Sequence, residues 1–156
     1  MTDSSPPFTR LDVCNRFLES VRHSVVLGME VISAEETAVR ARLPWRDDLV
    51  GNPETGVMHG GAIFAMMDHA GGMSVTCRTF PVFEITPTID FRVDHLRGPA
   101  KGAAVVCEAS CYRLTPHVAF VRITSWEEGN EDAPIATGLA TYTRLKIDKA
   151  GQVVGQ

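Results

Sequence analysis

The sequence predicts an α+β domain in which an antiparallel sheet curls round one long buried helix, and three observations carry that prediction. The stretch from about Gly60 to Arg78 reads as a helix that is apolar on almost every side, and such a helix is normally buried on every side. The chain beyond it turns to runs of alternating apolar and polar residues, the period of half-buried strands. Short turns rich in Gly, Pro, Asn and Asp separate those runs, the mark of an antiparallel meander. With 156 residues the chain is long enough for one domain with a real core.

The elements follow in order. Residues 1–9 are polar and contain proline, an expected frayed arm. Leu11, Cys14, Phe17, Leu18 and Val21 then share one face of a helix running to about His23. "VVLGMEVISA" and "TAVRARLPW" are expected as two strands, the second with Val39, Ala41 and Leu43 dry and Arg40 and Arg42 wet. "RDDLVGNPETG" is a loop by composition. After the long helix, "TPTIDFRVDHL" alternates with Ile89, Phe91 and Val93 on one side and Thr88, Asp90, Arg92 and Asp94 on the other. Three more strands, "AAVVCEASCYRL", "VAFVRITSWEE" and "IATGLATYTRLKI", complete a sheet of five or six. The organisation is thus an arm and helix over 1–24, one domain over 25–147 and a loose tail over 148–156.

Composition excludes several classes. A net charge of -4, with 22% charged residues, lacks the clustered Lys and Arg of a nucleic-acid-binding face. No run of 18 apolar residues predicts a membrane span, and the N-terminus lacks the basic and apolar blocks of a secretory signal, so a cytoplasmic protein is expected. Cys14, Cys77, Cys107 and Cys111 show no metal-ligand spacing. Cys107 and Cys111, roughly 13 Å apart along one strand at about 3.3 Å per residue, are too distant for a disulfide. Buried free thiols are the reading for all four.

The long helix carries the candidate chemistry. Asp68 lies near its middle, and an unpaired carboxylate in such a place costs several kcal/mol or more, so it must face a partner, water or a ligand. Ala65, Gly71 and Gly72 at i-3, i+3 and i+4 leave space beside it. That space suits either a substrate or close packing. At the helix start, "HGG" (His59, Gly60, Gly61) offers backbone N–H groups that a ligand can approach closely, an arrangement able to stabilise an oxyanion. Gly60 and Asp68 are about 12 Å apart along the axis at about 1.5 Å per residue. One carbonyl cannot touch both. If both serve one reaction, the carboxylate comes from a second subunit, and antiparallel copies of this helix in a twofold dimer meet the requirement.

These residues resemble a known family, the hot-dog-fold acyl-CoA thioesterases of the phenylacetate-pathway type. The matching pattern is Asn52 in the preceding loop, then His59-Gly60-Gly61, then Asp68 nine residues after the histidine, with Thr88 opening "TIDFRVDHLRGPA" where members often carry a small hydroxyl. The resemblance covers about residues 25–146. It implies a hot-dog fold, a homodimer as the minimal active unit and commonly a homotetramer, with acyl-CoA as substrate and no metal or cofactor. It implies that Asp68 activates water or attacks the thioester, and that the Gly60 N–H polarises the carbonyl from the other subunit, Gly60 being favoured over Gly61. Asn52 and His59 then position the carbonyl or the water, and Thr88 holds the water near Asp68.

For the rest of the substrate, the phosphates need cations, and Arg92, His95, Arg97 and Lys101 cluster in sequence. Phe64, Met67 and the loop from Leu49 to Val57 are candidates for the acyl pocket, with Gly61 beside them. His69 is read as a packing or interface residue. The competing readings are a hydratase or dehydratase on the same fold, and a non-catalytic acyl-CoA-binding module.

Overall fold

The computed structural model describes residues 8–147 and 152–154. The expected frayed arm therefore falls outside the described residues over 1–7, and the expected tail over 148–151 and 155–156.

Two short helices open the chain, α1 (Arg10–Ser20) and α2 (Arg22–Leu27). Thr9 caps α1 by a reciprocal pair of bonds with Asp12, which satisfies two orphan donors of the first turn. The strand expected from Val25 starts later. Val25 to Leu27 belong to α2, which ends at Gly28 in the left-handed region (φ +70°), a conformation glycine adopts without steric cost.

The strands of the main sheet are β1 (Glu30–Ala34), β2 (Ala38–Leu43), β6 (Thr88–His95), β7 (Val105–Leu114), β8 (Val118–Glu127) and β9 (Pro134–Thr143). Their spatial order is β1-β2-β7-β8-β9-β6, with every neighbouring pair antiparallel. Between β2 and the long helix α3 (Gly60–Thr79), the expected loop folds further. It forms a 3-10 turn at Asp47–Leu49 and a small hairpin of β3 (Val50–Asn52) and β4 (Val57–Met58). A second small pair joins β5 (Glu84–Ile85), just after α3, with β10 (Leu145–Lys146), just after β9.

The core lies between α3 and one face of the sheet. Val39, Ala41 and Leu43 are fully buried there, as the alternation predicts. On the opposite face Arg40 pairs with Glu108 and Glu131, and Arg42 with Glu30 and Glu128. Inward residues of β7 and β8, among them Cys107, Ala109, Val121 and Ile123, meet Ile63, Met66, Ala70 and Met73 of α3. All four cysteines are buried and free. Cys14 and Cys77, distant in sequence, bring their sulfurs to 3.5 Å where α1 packs on α3.

The expectation that α3 is covered on every side is corrected. Gly61 and Phe64 are exposed and Ala65 and Asp68 only half-buried, a stripe along one side of the helix at the i, i+3, i+4, i+7 spacing. Within one chain this stripe is covered only in part: Phe91 of β6 lies against Phe64, and Thr88 and Tyr142 lie against Asp68, while Gly61 and part of Phe64 stay exposed. Among the described residues no helix is long and apolar enough to cross a membrane.

Candidate active site

Asp68 is held from two sides. Thr88 Oγ1 donates to Asp68 Oδ1 at 2.8 Å. Tyr142 Oη lies 2.9 Å from the Asp68 carbonyl oxygen and 3.3 Å from Oδ1, and donates towards both. The position of Thr88 departs from the simple alternation, which put it on the face of Asp90 and Arg92. A bulge between Thr88 and Asp90 pairs Thr88 with Tyr142, while Phe91 pairs with Ala140 and Val93 with Gly138. The inserted residue flips the strand start, so Thr88 shares the helix-facing side with Phe91 and Val93. Ile89, expected inside, is 56% exposed.

Tyr142 is a candidate site residue that sequence reasoning missed. It is 1% exposed, and burial, then the nearby Asp68 carboxylate, pushes its phenol far above the ordinary value. It therefore stays protonated and able to donate. The space beside Gly71 belongs to it: a β-carbon there would sit 2.0 Å from Tyr142 Oη. Of the two glycines after Asp68, Gly71 thus serves close packing, whereas Gly72 lines an open cavity.

That cavity, of about 530 Å³, has Asp68 in its wall. Val13 and Phe17 of α1, Phe83 and Ile85 around β5, and Ile147 make its apolar lining, with Thr88 and Tyr142 beside the carboxylate. Such a volume is typical of a small-molecule site. His69 lines it too and packs against Phe17 and His23 at ring-centroid distances of 6.1 and 5.9 Å. Burial lowers its affinity for a proton, in keeping with a packing role. Glu84, in the cavity wall, forms a two-pronged ion pair with Arg144, both contacts at 2.8 Å.

The residues read from the sequence as acyl-pocket candidates lie apart from this cavity. Met67 is fully buried in the core, and Phe64 stacks on Phe91 at 4.6 Å on the partly exposed stripe. Neither lines the cavity, and nor does the loop from Leu49 to Val57. The wall of this cavity comes from α1 and residues 83–88, which only the tertiary fold brings beside Asp68.

The helix start forms a second cluster. His59 is the N-cap of α3, and its Nδ1 accepts the Gly61 N–H at 2.9 Å. The Ala62 N–H is taken by the His59 carbonyl at 3.0 Å. The Gly60 N–H has no acceptor among the described residues, which distinguishes it from Gly61. Asn52 closes the β3–β4 turn, its Oδ1 accepting the Glu54 N–H at 3.0 Å, so its amide donors remain available. His95 lies against Gly60: a β-carbon on Gly60 would be 3.2 Å from the imidazole Cε1.

The cationic cluster expected for phosphates is divided. Arg92 is 74% exposed and paired with Asp94, opposite Leu139 on the outer face of the sheet. Strand alternation carries it away from the helix start. Arg97 is spent on Glu127 and the Ala133 carbonyl. His95 stays at the helix start, and the Lys101 stem packs over Gly56 in the β3–β4 turn.

A six-stranded antiparallel sheet curled over one long helix, with a carboxylate midway along that helix and an open amide at its start, defines a hot-dog protein. The family model described as Thioesterase superfamily matches residues 55–133. A medium/long-chain acyl-CoA thioesterase of Escherichia coli K12 is 30% identical over 128 residues, spanning 74% of this chain and 81% of that protein. Among solved structures, a Pseudomonas aeruginosa protein is 39% identical with a TM-score of 0.80, covering 88% of this chain and 100% of that one. A mutant phenylacetic acid degradation protein from Thermus thermophilus shares the fold at 23% identity and a TM-score of 0.69, covering 80% and 100%. The chain belongs to the thioesterase superfamily, and thioester hydrolysis is its class of reaction.

Proposed function

We propose that this protein is an acyl-CoA thioesterase whose site is completed across a homodimer. The observation that carries the reading is the Asp68 carboxylate, held by two hydroxyl donors in the wall of an apolar cavity of about 530 Å³. An acyl chain fits such a cavity, and a carboxylate beside it can take a proton from water. In the reaction a water oxygen adds to the thioester carbon and gives its proton to Asp68. The C–S bond then breaks, and the proton passes to the departing thiolate.

The developing oxyanion needs donors that Asp68 cannot supply. The free Gly60 N–H at the positive end of α3 is the donor, offered by the second copy because the two groups of one chain lie about 12 Å apart. The partly exposed stripe of Gly61, Phe64, Ala65 and Asp68, together with the open edge of β6, supports a twofold partner at this surface. His59 and Asn52 frame the carbonyl next to that amide, and His95 and Lys101 face the phosphates of the CoA. Family likeness at 30% identity to a medium/long-chain acyl-CoA thioesterase supports an aliphatic acyl group.

Thiol release from aryl-, short-, medium- and long-chain acyl-CoAs, with wild type and Asp68→Asn side by side, tests this. Turnover on at least one chain class, reduced about 100-fold or more by the substitution, is expected. A wild type inert on every thioester, or an Asp68→Asn variant as fast as wild type, would overturn the proposal.

A further inference from the structure

We propose that Tyr142 is a positioning residue that, with Thr88, fixes Asp68 Oδ1 and leaves Oδ2 as the oxygen that meets the reacting water or carbon. This rests on the thioesterase reading of Asp68 and adds to it which oxygen reacts and what selects it.

The two oxygens of Asp68 are not equivalent. Oδ1 takes Thr88 Oγ1 at 2.8 Å and Tyr142 Oη at 3.3 Å. Oδ2 has no hydrogen-bond donor among the described residues, although Asp68 borders the cavity. Tyr142 also reaches the Asp68 carbonyl oxygen at 2.9 Å, so one hydroxyl ties the side chain to its own turn of α3 and restrains the carboxylate's rotation. The ring itself is enclosed. It is buried at the inner face of β9, with its hydroxyl in the space left by Gly71, where any β-carbon would collide with it at 2.0 Å. Thr88 and Tyr142 are direct partners in the β6–β9 ladder, so the two donors are set by one register. A carboxylate fixed in this way presents one oxygen in a constant direction, and prepaid orientation of a reacting group lowers the barrier rather than the substrate's dissociation constant.

The test is steady-state kinetics of Tyr142→Phe on the best acyl-CoA, alone and in the Asp68→Asn background. The expected result is a kcat lower by about tenfold, the size of one hydrogen bond to a charged group, with KM within about twofold of wild type. In the Asp68→Asn background the same change should have no further effect, because Tyr142 acts through the carboxylate. Gly71→Ala, which displaces the hydroxyl from the other side, should reproduce the kcat loss if the phenylalanine variant folds poorly. A Tyr142→Phe enzyme with wild-type kcat, a loss confined to KM, or an equal loss with Asp68 already removed would each overturn the inference. An active Asp68→Asn enzyme would instead overturn the thioesterase reading beneath it.

Discussion

Thr88 reaches Asp68 because the β6 strand bulges at Ile89: the extra residue brings the Thr88 hydroxyl to 2.8 Å from Asp68 Oδ1. Regular alternation would have pointed it to the opposite face. A hydrogen bond to an ionised group is worth about 1.5–3 kcal/mol. Thr88→Val, which keeps the shape and removes the donor, should therefore lower kcat about tenfold or more, whereas Thr88→Ser should retain most of the activity. Stopped assays of free thiol on the three enzymes check this, and equal rates for Val and Ser would contradict it.

Phe17 of α1 forms part of the cavity wall near His69. Truncating it to Ala extends the apolar space without touching Asp68. The kcat/KM ratio for a longer over a shorter acyl chain should rise by about tenfold, which is the discrimination that one methylene commands in an apolar pocket. A chain-length profile that keeps its wild-type shape would show that the acyl group lies elsewhere.

Phe64 is 39% exposed on the partly exposed stripe of α3. Phe64→Lys places a charge where the proposed partner helix packs, and a buried unpaired charge is not tolerated. Sedimentation should report a monomer with an unchanged far-ultraviolet circular dichroism spectrum. Hydrolysis should fall by about 100-fold or more, as when an oxyanion donor is removed. A fully active monomer would refute the shared site.

Glu127 ties the chain between β6 and β7 to the sheet by accepting from the Ala100 N–H at 2.7 Å and from Arg97 at 2.9 Å. The Ala100 N–H first, and then the Arg97 guanidinium, hold its carboxyl below its ordinary value of 4.5. A depressed folded-state value means that the unfolded chain binds the proton more readily, so the stabilisation is complete above 4.5 and is lost as pH falls through the folded-state value. Wild type should therefore exceed Glu127→Gln in urea midpoint near neutral pH, and the gap should narrow progressively below 4.5. A gap independent of pH would assign the effect to packing.

Much of the site was legible because the residues concerned are close in sequence. His59 and Gly60 at its start and Asp68 along it belong to one helix, whose geometry alone gives their separation; if both ends serve one reaction, as proposed, a second copy is required. The strands of the meander were legible for the same reason: a period of two requires only neighbours. Val25 to Leu27 misled because three apolar residues fit a buried helix turn as well as a strand, and the stop at Gly28 decided for the helix. Arg92 and Arg97 read as a cluster because sequence proximity ignores strand faces and the acidic partners already waiting for them.

By itself, then, the sequence determined the α+β class, the buried helix with its carboxylate and the glycine-rich amide donors at its start, since all of these follow from local periodicity and residue chemistry. The tertiary structure alone decided what surrounds Asp68. The bulge that turns Thr88 inward, the Tyr142 hydroxyl nested over Gly71, and the cavity wall supplied by α1 and the Glu84–Ile85 strand join segments as many as 74 residues apart. No local pattern records such contacts, because strand register and helix docking are settled by packing over the whole core.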